Sequence, residues 1–197
     1  MKKAIIIIGI FLAFFLFFVL PIIHTYNKMV AMDEGVKSAW SQVENVYQRR
    51  LDLIPNLVST VQGVANFEKS TLTAVIEARA SATQVKIDPS KMTEQNMQQF
   101  QAAQSNVSST LSRLLVTVEQ YPQLKATESF KELQSQLEGT ENRIVTERRR
   151  FNEVAQEYNS YIRKFPKNFV ASMGGFQQRP YFTADQGANK APTVKFN

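Results

Sequence analysis

From Ala4 to Ile23 the chain carries no charge and almost no polar side chain, and then the pattern changes to a spaced one. As a helix, that first stretch of 20 residues spans about 30 Å, the thickness of a bilayer's hydrocarbon core. Behind it comes an apolar seam in 4–3 spacing: Val36, Trp40, Val43, Tyr47, Arg50, Ile54, Leu57, Val61, Val64. One phase held for so long predicts a long helix, from about Tyr26 to Val64, packed on other helices. Pro55 lies inside it, and the phase persists across it, which predicts a kink rather than two helices.

The next helix is predicted over about Phe67 to Val85, with Asn66 as its cap. Asp88-Pro89 is a start signal for a third, running to about Gln120. Between Met92 and Phe100 that helix is rich in glutamine and asparagine, so this part is expected to be exposed or covered by a partner. Tyr121-Pro122 closes it. The fourth, about Thr127 to Phe165, repeats the 4–3 spacing through Phe130, Leu137, Ile144, Phe151, Tyr158 and Phe165. Two long helices bracketing two shorter ones, with short connections, predict an all-α antiparallel helical bundle preceded by one N-terminal transmembrane helix. The divisions are a flank (residues 1–3), a transmembrane anchor (4–23), the bundle (26–166) and an irregular aromatic C-terminal tail (167–197). Glycines and prolines oppose a long helix in the tail, and its five aromatics oppose a purely solvated one.

A cleaved signal peptide is the alternative reading of the anchor, with Lys2 and Lys3 as its basic region. The length of the apolar run and the lack of a small-x-small site after it argue against cleavage. Lys2 and Lys3 lie closer to the span than Lys28 and Lys37, which leans toward an inside N-terminus and a bundle outside the cytoplasm.

Composition narrows the chemistry. There is no cysteine, hence no disulfide, thiolate metal site or thiol nucleophile. The one histidine, His24, ends the apolar run, so a histidine triad and the Glu-x-x-His pairs of di-metal bundles are both excluded within the chain. Of the formal charge of +6, two units sit on Lys2 and Lys3. The remainder is too mild to suggest nucleic acid and suits anionic headgroups. No glycine-rich phosphate loop or nucleophile elbow is present. No enzyme activity and no cofactor are expected.

Arg50 is the exception in the seam. A guanidinium on a packed face must be paired or held for a purpose. Near the middle of the fourth helix, Glu138, Glu141 and Arg143 can come level with it in an antiparallel bundle. The expected result is a polar core network that fixes register. The alternative is a binding pocket for a carboxylate or headgroup. Arg148, Arg149 and Arg150 form a basic run, either a solvated face or a docking patch. With Phe176, Tyr181 and Phe182 of the tail they are the candidate contacts for a partner or for lipid.

Five blocks in order resemble one family: AWSQVENVYQRRLDLIPNLVSTVQG (39–63), TLTAVIEARASATQ (71–84), LSRLLVTVEQYPQLKA (111–126), LQSQLEGTENRI (133–144) and FNEVAQEYNSYIRKFP (151–166). The chain is similar to the bacterial LemA family from about Tyr26 onward, including the tail's GFQQRPYF and APTVKF. Val46 departs from the asparagine that many relatives place after VEN. The resemblance implies a small membrane-anchored protein with an antiparallel helical bundle, and it implies no reaction and no catalytic residues. Some relatives look like lipoproteins and others like single-span proteins with a cytoplasmic domain. The functional expectation is a non-enzymatic scaffold at the bacterial membrane. It would form a homo-oligomer or bind a membrane protein partner. The alternative is a receptor-like module with a pocket around Arg50 and the Glu138–Arg143 cluster.

Overall fold

The structure is a computed structural model that describes residues 2–63 and 67–183. Val64 of the seam, the Asn66 cap and the tail beyond Thr183 lie outside the described residues. Among the described residues there is no strand. The elements in order are α1 (Lys2–Phe14), a π-helical turn (Phe15–Val19), α2 (Leu20–Gln62), α3 (Lys69–Gln84), a 3₁₀ turn (Pro89–Lys91), α4 (Glu94–Val118), α5 (Pro122–Lys125), α6 (Glu128–Arg163) and α7 (Lys167–Gly174).

The anchor and the first bundle helix are one helical run from Lys2 to Gln62, with no linker between them. One helix of the described residues, in the N-terminal run, is long and apolar enough to cross a membrane. Pro21 has no N–H for the carbonyl four residues back, and the helix widens into a π turn just before it. Pro55 is accommodated differently. Its missing N–H would leave the Leu51 carbonyl unpaired, but Arg79 Nε reaches across from α3 and donates to that oxygen at 2.9 Å. A donor from the neighbouring helix thus lets α2 continue through the proline.

The third helix starts later than Asp88-Pro89 suggests. Those residues make a single 3₁₀ turn, with the Asp88 carboxylate accepting from Ser90 N. The α4 start is a reciprocal cap: Thr93 Oγ1 accepts from Asn96 N, and Asn96 Oδ1 accepts from Thr93 N at 2.8 Å. A box that satisfies two end groups outcompetes a single aspartate cap. The stretch after Pro166 is also more regular than expected, because α7 forms one short helix ended by Gly175 at φ 72°, a left-handed position that suits glycine. Only from Phe176 to Thr183 is the described tail without regular secondary structure.

α2 and α6 pack antiparallel along their length, and α3 packs on α4. The core divides into two clusters. The membrane-distal one is aliphatic, centred on Ile54, Leu57, Val61, Val75, Val107 and Leu114. The membrane-proximal one is aromatic and methionine-rich, centred on Trp40, Tyr47, Phe100, Phe151, Tyr158 and Phe182.

Candidate functional site

The two clusters meet at Arg50. On α2 it follows Tyr47 of the proximal cluster and precedes Leu51 and Ile54 of the distal one. Its side chain is only 1% exposed. Nη1 donates to Ser108 Oγ at 2.6 Å and to Glu141 Oε1 at 2.7 Å. Nη2 donates to the Gln104 side-chain oxygen at 2.6 Å and to its backbone oxygen at 3.1 Å. The guanidinium also lies 5.1 Å from the centre of the Tyr47 ring. Helical spacing explains the set: Gln104 and Ser108 are one turn apart on α4 and point to one face. A buried cation is tolerable when both of its Nη atoms are hydrogen-bonded in this way. Because Glu141 is 42% exposed, water weakens the Coulombic part of the pair, and the hydrogen bonds to Gln104 and Ser108 carry more of the load.

A cavity of about 110 Å³ adjoins the arginine, lined by Tyr47, Ser105, Ser108, Glu141 and Arg148 among others. Small-molecule sites begin at roughly 300 Å³, so this one has room for waters or a small ion. Among the described residues no group of histidine, aspartate and glutamate is placed to hold a metal.

A second polar arrangement ties the tail to the bundle. Asn159 on α6 clasps the backbone of Arg179 from both sides, donating from Nδ2 to its carbonyl and accepting from its N–H, each at 2.8 Å. Asn152 does the same to Phe182, at 2.9 and 2.8 Å. The spacing is geometric. Seven helical residues rise about 10.5 Å, and three extended residues cover about 10 Å. Two side-chain amides a heptad apart therefore match an extended segment at every third residue. From the first clasp, the Arg179 side chain reaches down to Asp33 on α2 at 2.6 Å. Burial by itself would raise the Asp33 carboxyl, but hydrogen bonds from Arg179 and Lys37, with their charges, outweigh it and hold the group below its ordinary value. Burial first, and the Asp33 charge second, push the neighbouring Tyr158 hydroxyl up to about 12.

The LemA family model matches residues 39–196. The chain belongs to the LemA family. It is 29% identical over 194 residues to Magnetosome protein MamQ 1 of Paramagnetospirillum magneticum, covering 90% of this chain and 71% of that protein. It is likewise 29% identical over 182 residues to Magnetosome protein MamQ of Magnetospirillum gryphiswaldense, covering 84% and 67%. Protein LemA of Metamycoplasma hominis is 26% identical over 165 residues, covering 80% of this chain and 72% of that one.

Within this LemA-family bundle the candidates from sequence separate. Of the residues expected around Arg50, Glu141 meets it, whereas Glu138 is exposed and accepts from Gln134 one turn away at 3.0 Å. Arg143 is exposed as well. One helical turn beyond Leu137 places Glu141 inward and leaves 138 and 143 on the outer face. The basic run also divides. Arg148 donates to the Thr183 carbonyl at 2.8 Å and lies over the Phe182 ring, while Arg149 and Arg150 face solvent. Phe182 is 6% exposed, stacked on Trp40 and edge-on to Phe151, so it is a core residue and not a free contact. Phe176 packs edge-on against Tyr26. Tyr181 remains partly exposed, with its hydroxyl bonded to Asn159 at 3.0 Å.

Sequence reasoning missed Gln104, Ser108, Asn152, Asn159, Asp33 and Arg179. The available signal was Asn152 and Asn159, two amides a heptad apart beside the α6 seam. The polar start of α4 is partly covered by the chain's own tail, since Gln101 Oε1 accepts from Thr183 N at 3.2 Å. A groove of about 330 Å³ runs between that start and the tail, lined by Glu94, Gln98, Gln101, Gln178 and Tyr181 among others.

Proposed function

We propose that this protein is a non-enzymatic scaffold of the bacterial membrane, which self-associates or holds a membrane protein partner at a fixed height above the bilayer. The observation that carries the reading is the unbroken helical run from Lys2 to Gln62. A linkerless join transmits orientation, and an enzyme tethered only to stay near a membrane has no need of it. The outward face of α6 offers the contact surface. There Val145, 65% exposed, lies one helical turn before Arg149 and beside Glu141 and Arg148, an apolar side chain with charged neighbours of both signs. The relatives called magnetosome proteins carry the name of a structure and not of a reaction, which supports the same reading. With Lys2 and Lys3 nearest the span, the positive-inside preference leans toward a bundle outside the cytoplasm.

Particle mass in lipid nanodiscs tests this. The scaffold reading expects a discrete oligomer, or a co-purifying protein in fixed proportion. A strictly monomeric particle without a partner contradicts it.

The second reading, a receptor-like module at Arg50, has one observation in its favour. Arg50 Nε is buried without a hydrogen-bond partner, beside the 110 Å³ cavity. If Arg50→Leu shifts stability and leaves function intact, that reading fails.

A further inference from the structure

Outside the anchor, three of the most exposed large apolar side chains stand together: Phe165 at 80%, Phe169 at 61% and Met173 at 88%. They recur every fourth residue, and the first two rings meet edge-on with centroids 5.9 Å apart. Phe169 and Met173 lie on one face of α7, whose opposite face is held to the bundle by buried Ala171. From Arg163 to Met173 the chain has three cations and no carboxylate. Lys167 sits over the Tyr161 ring, 3.7 Å from its centre, while Arg163 and Lys164 face solvent.

The height of this patch follows from the antiparallel pairing of α2 and α6. Arg50 faces Glu141, Trp40 faces Phe151, and Val154 packs beside Gly35. Nine residues on from Val154, Arg163 therefore stands level with Tyr26, nine residues back from Gly35. Phe165 is then level with the end of the apolar run at Ile23. The contact of Tyr26 with Phe176, just past α7, agrees with that level. Three apolar side chains that would be a liability in water lie where the aqueous phase ends.

We propose that α7 is a foot that rests in the surface of the bilayer the anchor crosses. Phe165, Phe169 and Met173 enter the boundary between headgroups and acyl chains, and Arg163, Lys164, Lys167 and exposed Lys28 hold anionic phospholipid headgroups. The occupant is lipid because the patch continues the span and its charge complements an anionic surface. The foot adds a second point of attachment, and so sets which way the faces of the bundle point. This does not depend on the scaffold reading.

The absence of cysteine allows a clean test. Met173→Cys and, as a control at the far end of the bundle, Val116→Cys are each labelled with a fluorophore in the full chain. Both are placed in nanodiscs of phosphatidylcholine, alone or with phosphatidylglycerol. Bromine on the lipid acyl chains reports lipid contact, and iodide reports water. The proposal expects the Met173 label to be quenched by brominated lipid roughly twofold or more above the Val116 label, and to be protected from iodide. Phosphatidylglycerol should strengthen the effect, and Arg163→Glu with Lys164→Glu should remove that dependence. A Met173 label as open to iodide as the Val116 label overturns the proposal. So does one shielded from both quenchers, which means that protein covers the patch. Phosphatidylglycerol dependence that survives the charge reversal overturns the assignment of the cations.

Discussion

The two halves of the core are built on different principles. The membrane-distal half is filled by Leu, Ile and Val side chains from segments that follow one another, chiefly the end of α2 and the α3–α4 hairpin. The membrane-proximal half is an aromatic cluster around Trp40 that the four long bundle elements do not finish. It takes Phe182 from the tail to cover Trp40 and Phe151, and its polar tie from Arg179 to Asp33 closes 146 residues of chain. Local closure loses little chain entropy, whereas distant closure loses more and has to be held by directed bonds. The difference therefore separates a self-sufficient end from an end that depends on a strap. Arg50 marks the border, where neither packing style continues.

The largest expected effect lies at that border. Arg50→Ala leaves a cavity and strands the Gln104 amide and Ser108, for a loss of about 3 kcal/mol in denaturant unfolding. Arg50→Leu refills the volume and joins the two apolar clusters, and should recover more than half of that loss. If leucine is as costly as alanine, the border is set by the polar contacts themselves and not by volume.

Next in size, Asn159→Ala removes both hydrogen bonds to the Arg179 backbone and should cost about 1–2 kcal/mol. Hydrogen exchange locates the effect. Protection of the Arg179 and Phe182 amides should fall, with no change in the α3–α4 hairpin. A loss spread evenly over both halves would erase the contrast between them.

The smallest effect is a pH dependence. Asp33 titrates below its ordinary 3.8, so its tie to Arg179 is fully present above pH 3.8 and is lost as pH falls through the lower folded value. Acid should loosen the tail before it touches the distal half, and Asp33→Asn should abolish the difference between neutral and acid exchange in the tail.

The helices were legible from spacing alone. The α2 and α6 seams and the passage of α2 through Pro55 follow from apolar residues kept in one phase, and the antiparallel pairing from helix lengths and short connections. Arg50 was legible as an anomaly, and Glu141 as one of its possible partners. Gln104 and Ser108 were not, because a polar residue that faces inward looks in sequence like one that faces water. The start of α4 was misplaced because two adequate caps lie five residues apart, and only geometry shows that Thr93 and Asn96 cap each other. The tail was the least legible part. Its structure is dictated by side-chain amides on a helix far away in sequence, and extended segments held in that way carry no periodicity of their own.

On the scaffold proposal, this chain works by contact at its outward surface. Photo-crosslinking in living cells, from single positions along α4 and the outer face of α6, tests it directly. The account predicts a discrete adduct, either a second copy of the chain or one protein partner, that is strongest from Val145 and Arg149 and absent from buried Leu114. No adduct from any exposed position, or the same diffuse smear from all of them, would contradict it.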